Sequence, residues 1–296
     1  MSNQPQARID QLPEVQDLIE RALVEDVASG DATTLALVPE DTEVAAEIVA
    51  RHDCVVAGNP VAAAVFRAVD ERLAYEAVAE DGQAVAEGDR VAEIRGPARG
   101  ILTAERTALN FLQRLTGIAS QTAVFVKAVQ PHGATILDTR KTTPGYRALE
   151  KYAVRCGGGT NHRIGLYDRV MIKDNHRALW ARESGTTSLS AAVTASRAAY
   201  PDLAVEVEVE SEDEFLDAIE ALPEWILLDN MGPDRLHHFV DLNRGRTKLE
   251  ASGGIMLDNV AEIAATGVDA ISLGCLTHSV KAADLSLEIL ALTPDS

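Results

Sequence analysis

Residues 138–177 carry nine Lys or Arg (Arg140, Lys141, Arg147, Lys151, Arg155, Arg163, Arg169, Lys173 and Arg177) against four acids, a local charge of +5 in a chain whose formal net charge is −19. A positive segment inside a negative surface collects a small polyanion and holds it by charge-assisted hydrogen bonds. Arg140, Lys141, Arg163 and Lys173 adjoin expected strand ends or a glycine-rich turn, which makes them the anion-binding candidates. Arg147, Lys151 and Arg155 stand four residues apart and read as the solvated outer face of a helix. His162, beside Arg163, could orient a carboxylate or be an ordinary structural histidine.

Carboxylates supply the complementary half. Glu206, Glu208 and Glu210 alternate with Val205, Val207 and Val209, so on a strand the three acids share one face. Turned inward, such a face needs cations or a metal, and Asp229 at the end of the next expected strand could share a Mg²⁺ with one of them. Turned outward, they are surface acids on an edge strand. Glu250-Ala251-Ser252-Gly253-Gly254 ends another expected strand and leads to a helix predicted to begin near Met256, an arrangement that lets backbone approach a phosphate; Gly274 ends the strand after it. Cationic pocket, phosphate cradle and paired carboxylates together suggest group transfer from a phosphate-rich donor to an anionic acceptor. There is no Gly-x-Ser-x-Gly, His-Glu-x-x-His or Gly-x-x-x-x-Gly-Lys-Ser/Thr sequence, so hydrolysis by an activated serine, a zinc protease site and a P-loop are all unsupported.

The elements that must position these groups fall into two rhythms. Up to about residue 100 a helix over 12–26 precedes strand-like runs at 44–50, 54–57, 73–79 and 90–94, with a helix over 60–69 between them, an α+β arrangement. Residues 80–96 have the turn pattern of biotinyl and lipoyl carriers, but no lysine precedes Lys127, which excludes carrier function. A helix over about 103–130 follows, with Thr103 as its expected cap and Gly117 as an expected interruption. Beyond it, apolar runs at 134–137, 169–172, 204–209, 225–228, 248–251 and 268–273 alternate with amphipathic helical stretches. That alternation means parallel βα units, in an open doubly wound sheet or a barrel. Nearly every run ends at its carboxyl side in polar groups, and in such folds that edge is the active-site face.

Composition narrows the class further. With 296 residues and 46% hydrophobic content the chain can bury a sizeable core. The charge of −19 and a pI near 4.7 disfavour nucleic acid and anionic membranes as partners, and 4% aromatic residues offer little for stacking bases. No apolar run approaches the roughly 20 residues of a membrane span, and the polar start predicts a cytoplasmic chain. Cys54, Cys156 and Cys275 are too few and too scattered for a disulfide framework and are expected to be small buried hydrophobes.

In order along the chain stand Gly30-Asp31-Ala32-Thr33-Thr34, Glu105-Arg106-Thr107-Ala108-Leu109-Asn110, Asp138-Thr139-Arg140-Lys141-Thr142-Thr143-Pro144-Gly145, Gly157-Gly158-Gly159-Thr160-Asn161-His162-Arg163, Leu228-Asp229-Asn230, Glu250-Ala251-Ser252-Gly253-Gly254 and Ser272-Leu273-Gly274. In this order and combination the chain resembles the quinolinate phosphoribosyltransferase family, type II phosphoribosyltransferases. The resemblance implies an α/β protein: an N-terminal α+β sandwich domain over 1–112, with a C-terminal helix over 278–296 as a candidate addition to it, then an incomplete parallel α/β barrel over 113–277. It implies a homodimer with shared active sites and a reaction that joins quinolinate to 5-phosphoribosyl-1-pyrophosphate, giving nicotinate mononucleotide, CO₂ and pyrophosphate for NAD biosynthesis. By motif, Arg106, Arg140, His162, Arg163 and Lys173 would bind the quinolinate carboxylates, with Lys141 and Thr142 beside the reacting groups. Glu208 and Asp229 would hold Mg²⁺ and the ribose side of the donor, Glu208 being chosen over Glu206 because its spacing to Asp229 fits the family better. Ser252, Gly253, Gly254 and Gly274 would cradle the 5-phosphate. The rival expectations are a relative that takes nicotinate, a pyrophosphorylase-like homologue associated with molybdenum transport, and a silent sensor that keeps the pocket.

Overall fold

A computed structural model describes residues 8–290 and divides into two compact units. Of the described residues, the first comprises 8–123, Thr142–Gly158 and 276–290. Helices α1 (Pro13–Val27) and α2 (Ala32–Leu37) lead into strands β1 (Glu43–Ala50) and β2 (Cys54–Val55), helix α3 (Asn59–Val69), and strands β3 (Ala74–Ala77), β4 (Ala84–Val85) and β5 (Arg90–Pro97). On β1, Ala46, Ile48 and Ala50 are fully buried, the alternation of a sheet with one face on a core.

Among the described residues after His278 the C-terminal helix expected over 278–296 is not formed. Leu285–Ile289 is a strand, β12, and completes an antiparallel sheet in the order β12-β1-β5-β3; residues 291–296 lie outside the described residues. Pairing of Leu285–Ile289 with Ala46–Ala50 satisfies an edge that β1 otherwise leaves open, and that gain is invisible to local helix propensity.

Helix α4 runs unbroken over Ala98–Val129, so the expected boundary at residue 112 falls inside it. Thr103 does not cap it; its hydroxyl lies 3.4 Å from Asp31. Gly117 does not interrupt it either. It is a point of close approach, where a Cβ would stand 2.3 Å from the Lys281 carbonyl oxygen. On α5 (Arg147–Cys156) Lys151 is 1% exposed, which corrects its placement on a solvated face: four-residue spacing says that side chains share a side, not that the side is uncovered. Of the cysteines only Cys54 is buried, while Cys156 and Cys275 are partly exposed.

The second unit, Val124–Lys141 with Gly159–Cys275, is a parallel sheet of six strands: β6 (Thr135–Leu137), β7 (Val170–Ile172), β8 (Val205–Val209), β9 (Trp225–Asp229), β10 (Lys248–Ser252) and β11 (Ala270–Ser272). Their order is β6-β11-β10-β9-β8-β7, and among the described residues no pairing joins β6 to β7, so the barrel is incomplete. Helices α6 (Asp174–Ser184), α7 (Leu189–Ala199), α8 (Glu212–Glu220), α9 (Pro233–Asn243) and α10 (Val260–Ala265) link or follow the strands. Strand β8 lies between β7 and β9 and is buried throughout, which removes the edge-strand reading of its glutamates. Helix α10 begins four residues later than expected, because Asn259 first turns the chain by accepting the Met256 N–H at 2.8 Å. No described helix is long and apolar enough to cross a membrane.

The close contacts of the first unit give a stability test. Gly157 has φ −78, open to any residue, yet a Cβ there would lie 2.3 Å from the Ala119 carbonyl oxygen. Gly157→Ala is expected to cost about 1–3 kcal/mol by overpacking and to lower Tm by several degrees. Gly232→Ala, with nothing within 4 Å, should leave Tm unchanged in the same melting experiment. Equal melting of the two variants would contradict the tight contact.

Candidate active site

Register across the second sheet decides which side chains meet. Residues 171 and 206 face each other across β7 and β8, as do 206 and 225 across β8 and β9 and 225 and 248 across β9 and β10. One step of two residues up the strands come Glu208, Leu227, Glu250 and Ala270, and one step higher Asp229, Ser252 and Ser272. A strand's side chains repeat every two residues, so all of these lie on one face, in layers like those that fill a barrel. The upper layers line a cavity of about 380 Å³. Its wall is made of Thr139, Arg140, Lys141, His162, Arg163, Met171, Lys173, Glu208, Leu227, Asp229, Glu250, Ser252 and Ser272, drawn from strand ends and the loops after them.

Cations and acids are paired unequally around this wall. Lys173 forms an ion pair with Glu208. Arg163 donates to the Arg169 carbonyl at 3.2 Å and to the Met171 sulfur at 3.4 Å, neither of them an acid. Burial and the positive charge of Arg140 both press the Arg163 pKa down, so this corner of the cavity is short of negative charge. An anion entering it would relieve both effects.

Beneath that corner lie buried acids, of which Glu206 Oε1 and Glu250 Oε2 have no hydrogen-bond partner among the described residues. Asp138, fully buried at the end of β6, accepts the His162 N–H at 2.9 Å and the Asn161 amide at 2.5 Å, fixing the loop that carries His162. His162 Nε2 lies 3.1 Å from Glu206 and 3.3 Å from Glu250, and Arg169 reaches the same Glu206 oxygen at 3.2 Å. Arg169 and Lys248 in turn flank the Trp225 ring, 5.6 and 5.2 Å from its centre. Burial opposes charge on the imidazole, but the two carboxylates outweigh it and draw the His162 pKa up to about 9. The Arg163 N–H points at Nδ1 from 2.7 Å and opposes a proton there, so the neutral Nε2–H tautomer is the one whose hydrogen bonds this geometry satisfies. Burial also works against the Glu206 charge, yet His162 and Arg169 hold its pKa below the usual glutamate value; burial and the Glu206 charge push Glu250 up. His162, Glu206 and Glu250 have the donor types of a metal site, their ligand atoms within 4.8 Å of one another. Arg169 already reaches the Glu206 oxygen nearest the ring and the Arg163 N–H holds Nδ1, so Glu206 and His162 are tied to the protein's own donors.

On the far side, Ser272 Oγ stands 3.0 Å from Ser252 Oγ. Gly253 follows with φ +90, and a Cβ there would lie 2.2 Å from Asn230 Oδ1, so both conformation and contact demand glycine. Glu208 and Asp229 present carboxylate oxygens to one cavity from adjacent strands, a hard-oxygen pair that fits Mg²⁺.

Nine of the residues expected from the sequence therefore belong to this unit's cavity or its rim: Arg140, Lys141, His162, Arg163, Lys173, Glu208, Asp229 and Ser252 line it, and Gly253 shapes the turn beside it. Gly254 and Gly274 are not in its lining. Arg106 and Thr142 belong to the other unit, Arg106 with 62% of its side chain exposed and 3.8 Å from Glu105, Thr142 accepting from Arg147 at 3.0 Å. Thr139, Met171, Leu227, Glu250 and Ser272 line the cavity without having been singled out for a role. The signal that finds most of them is parity: each of the last four stands an even number of residues from Lys173, Asp229 or Ser252 on its own strand, or opposite such a residue.

Comparison with known proteins matches both parts of the chain. Residues 31–116 fit the family model of the quinolinate phosphoribosyl transferase N-terminal domain and residues 118–288 that of the C-terminal domain. A protein of Bacillus subtilis named a probable nicotinate-nucleotide pyrophosphorylase (carboxylating) is 42% identical over 276 residues, covering 93% of each chain. One of Mycobacterium leprae with the same name, without the qualifier, is 44% identical over 92% of this chain and 96% of its own. The solved structure of the nicotinate-nucleotide pyrophosphorylase from Francisella tularensis superposes with a TM-score of 0.88 at 39% identity, covering 97% of this chain and 100% of that one.

The buried network has a measurable weight. Glu206→Gln keeps the shape but leaves Arg169 without its counter-charge, and unfolding in urea should show a loss of about 3 kcal/mol at neutral pH. The lowered Glu206 pKa means that its contribution is present above the ordinary value of 4.5 and fades as the pH falls through the folded-state value, so the gap between the two proteins should close in acid. A gap that is absent, or that widens in acid, would show that the carboxylate carries no such load.

Proposed function

The chain belongs to the quinolinate phosphoribosyltransferase family, and on that premise we propose that it transfers the phosphoribosyl group of 5-phosphoribosyl-1-pyrophosphate to quinolinate, releasing pyrophosphate and CO₂ and leaving nicotinate mononucleotide for NAD biosynthesis. The observation that carries this reading is the make-up of one cavity. It gathers the cations Arg140, Lys141, Arg163 and Lys173, the hydroxyls of Ser252 and Ser272 and the carboxylates of Glu208 and Asp229.

Quinolinate's carboxylates bind to Arg140, Arg163 and Lys173, aiming the ring nitrogen at the anomeric carbon. His162 has both ring nitrogens engaged, so its part is to hold the Arg163 backbone rather than to touch the acid. Met171 and Leu227 give the ring an apolar seat. The 5-phosphate rests at Ser252, Gly253 and Gly254, with Gly274 after the next strand. As the bond to pyrophosphate lengthens, positive charge grows on the ribose near Glu208 and Asp229 while Lys141 stabilises the leaving oxygen, with Thr142 beside it. Glu208 and Asp229 would hold Mg²⁺, which would neutralise part of the pyrophosphate charge. Once the ring nitrogen is bonded to ribose it is cationic; the electron pair left by CO₂ is stabilised beside it and takes a proton from water to give nicotinate mononucleotide. Free thiols and an acidic surface suit a cytoplasmic enzyme. The enzyme acts as a homodimer in which the exposed Arg106 of each subunit completes the partner's pocket, an arrangement that a two-fold axis makes reciprocal.

Incubation with quinolinate, phosphoribosyl pyrophosphate and Mg²⁺, following CO₂ and pyrophosphate, tests the reading directly; binding without release of either would make the protein a sensor. Quinolinate should react and nicotinate should not, because a monocarboxylate leaves more of the partly buried cations without a counter-charge. Comparable kcat/KM for the two acids would favour the nicotinate-using relative. The shared pocket has its own test. Arg106→Ala and Glu208→Ala should each be nearly inactive, yet co-refolding in equal amounts should recover about a quarter of wild-type activity, since about half the dimers are mixed and have one intact site. Heterodimers seen by mass spectrometry without activity would place Arg106 in its own subunit's site.

A further inference from the structure

Arg177 closes the cationic segment of the sequence, yet it does not line the cavity. It stands in the first turn of α6, which follows β7 directly, with Lys173 as the joining residue and N-cap. Two features leave that turn short of support. Among the described residues β7 pairs with β8 alone, so the strand leading to Lys173 is held from one side. Helix α6 has no buried residue, and its Leu179 is 63% exposed, so it lacks the apolar stripe that ordinarily fixes a helix on its sheet. A polar contact is made at this point. Arg177 donates to one oxygen of Glu214 on α8, and the other oxygen accepts the Glu210 N–H at 2.8 Å, just past the end of β8.

We propose that Arg177 and Glu214 are a positioning pair for the quinolinate subsite, clamping the start of α6 to the end of β8 and so setting Lys173 level with Glu208. The inference rests on the phosphoribosyl-transfer reading given above. Within the first turn of α6 the Lys173 N–H donates to His176 Nδ1 at 3.1 Å and the Lys173 carbonyl accepts the Arg177 N–H at 2.9 Å, so the Lys173 backbone moves with the helix. Register places Met171 opposite Glu206 and Ile172 opposite Val207; the next step brings Lys173 to Glu208, and those two side chains do pair. The Arg177 and Glu214 side chains are 25% and 26% exposed, shielded enough for their contact to hold the helix where a fully exposed pair contributes little. Burial opposes charge on Glu214, but Arg177 and the Glu210 N–H hold its pKa below the usual glutamate value. Glu208 itself needs no clamp, because β8 is paired on both sides. Loss of the pair should therefore fall on Lys173 and on the acid it binds.

Steady-state kinetics with each substrate varied in turn separate this role from general support of the barrel. Arg177→Met keeps most of the side chain's length and removes its donors; it should raise KM for quinolinate by about five- to tenfold, the scale of one weakened hydrogen bond to the acid. KM for phosphoribosyl pyrophosphate should change by less than about twofold, as should kcat. Arg177→Lys, which can still reach Glu214, should recover most of the loss. In a Lys173→Ala background Arg177→Met should lower kcat/KM for quinolinate no further, because the clamp then has nothing left to place. If Arg177→Met does not fold by circular dichroism, Glu214→Gln, which weakens the same contact from the other side, takes its place with the same expected shift. An active wild type whose folded variant leaves KM for quinolinate unchanged would overturn the proposal. So would an equal rise in both KM values, or a loss as large without Lys173 as with it. A wild type that does not turn over this substrate pair would instead overturn the functional reading on which it rests.

Discussion

A barrel whose inner face carries Glu206, Glu208, Asp229 and Glu250 can close only if each carboxyl meets a cation, a proton or a hydrogen-bond donor. Glu206 makes the demand most severely, since it is fully buried. Arg169 and His162 answer it, and the consequences spread from there. Asp138 and Nδ1 of His162 fix the loop at Asn161–Arg163, and that loop delivers Arg163 to the cavity. Glu250, buried and crowded by the Glu206 charge, is driven toward its neutral form. The chemistry above depends on this buried neutralisation below.

Charge is also what separates the two ends of the cavity. Arg140 and Arg163 repel each other across a partly desolvated space, a state held in place by the fold rather than by their own attraction. Such a site is prepared for anions before any arrive, so the charge complement need not be assembled at each turnover. Lys173, in contrast, is paired with Glu208.

The scaffold is regular where it can be and irregular where the site requires it. Parallel strands buried on both faces supply the rows of side chains, as β8 does with five buried residues in succession. The departures are local: Asn230 and Gly253 both take positive φ at the top of β9 and β10, and the two lie so close that no side chain fits on Gly253. Strain of that kind persists where neighbouring strands hold both ends of the turn.

Much of this was legible without coordinates. The strand–helix alternation after residue 134, the clustering of Arg140, Lys141, Arg163 and Lys173, and the period of two in Val205–Val209 are local patterns, and local patterns survive in sequence because backbone geometry repeats every two or every 3.6 residues. Glu208, Asp229 and Ser252 could be placed at strand ends for the same reason. What sequence could not supply was register and coverage. Nothing in Glu250-Ala251-Ser252 alone states that Glu250 stands level with Leu227 or meets His162, because which residues lie opposite one another is set when strands pair across tens of residues. The same limit hid the burial of Lys151, which depends on what packs over α5, and the strand at Leu285–Ile289, which exists because β1 offered it an open edge. Residue type and spacing determined the chemistry available to this protein, and long-range pairing alone decided which of those groups would touch.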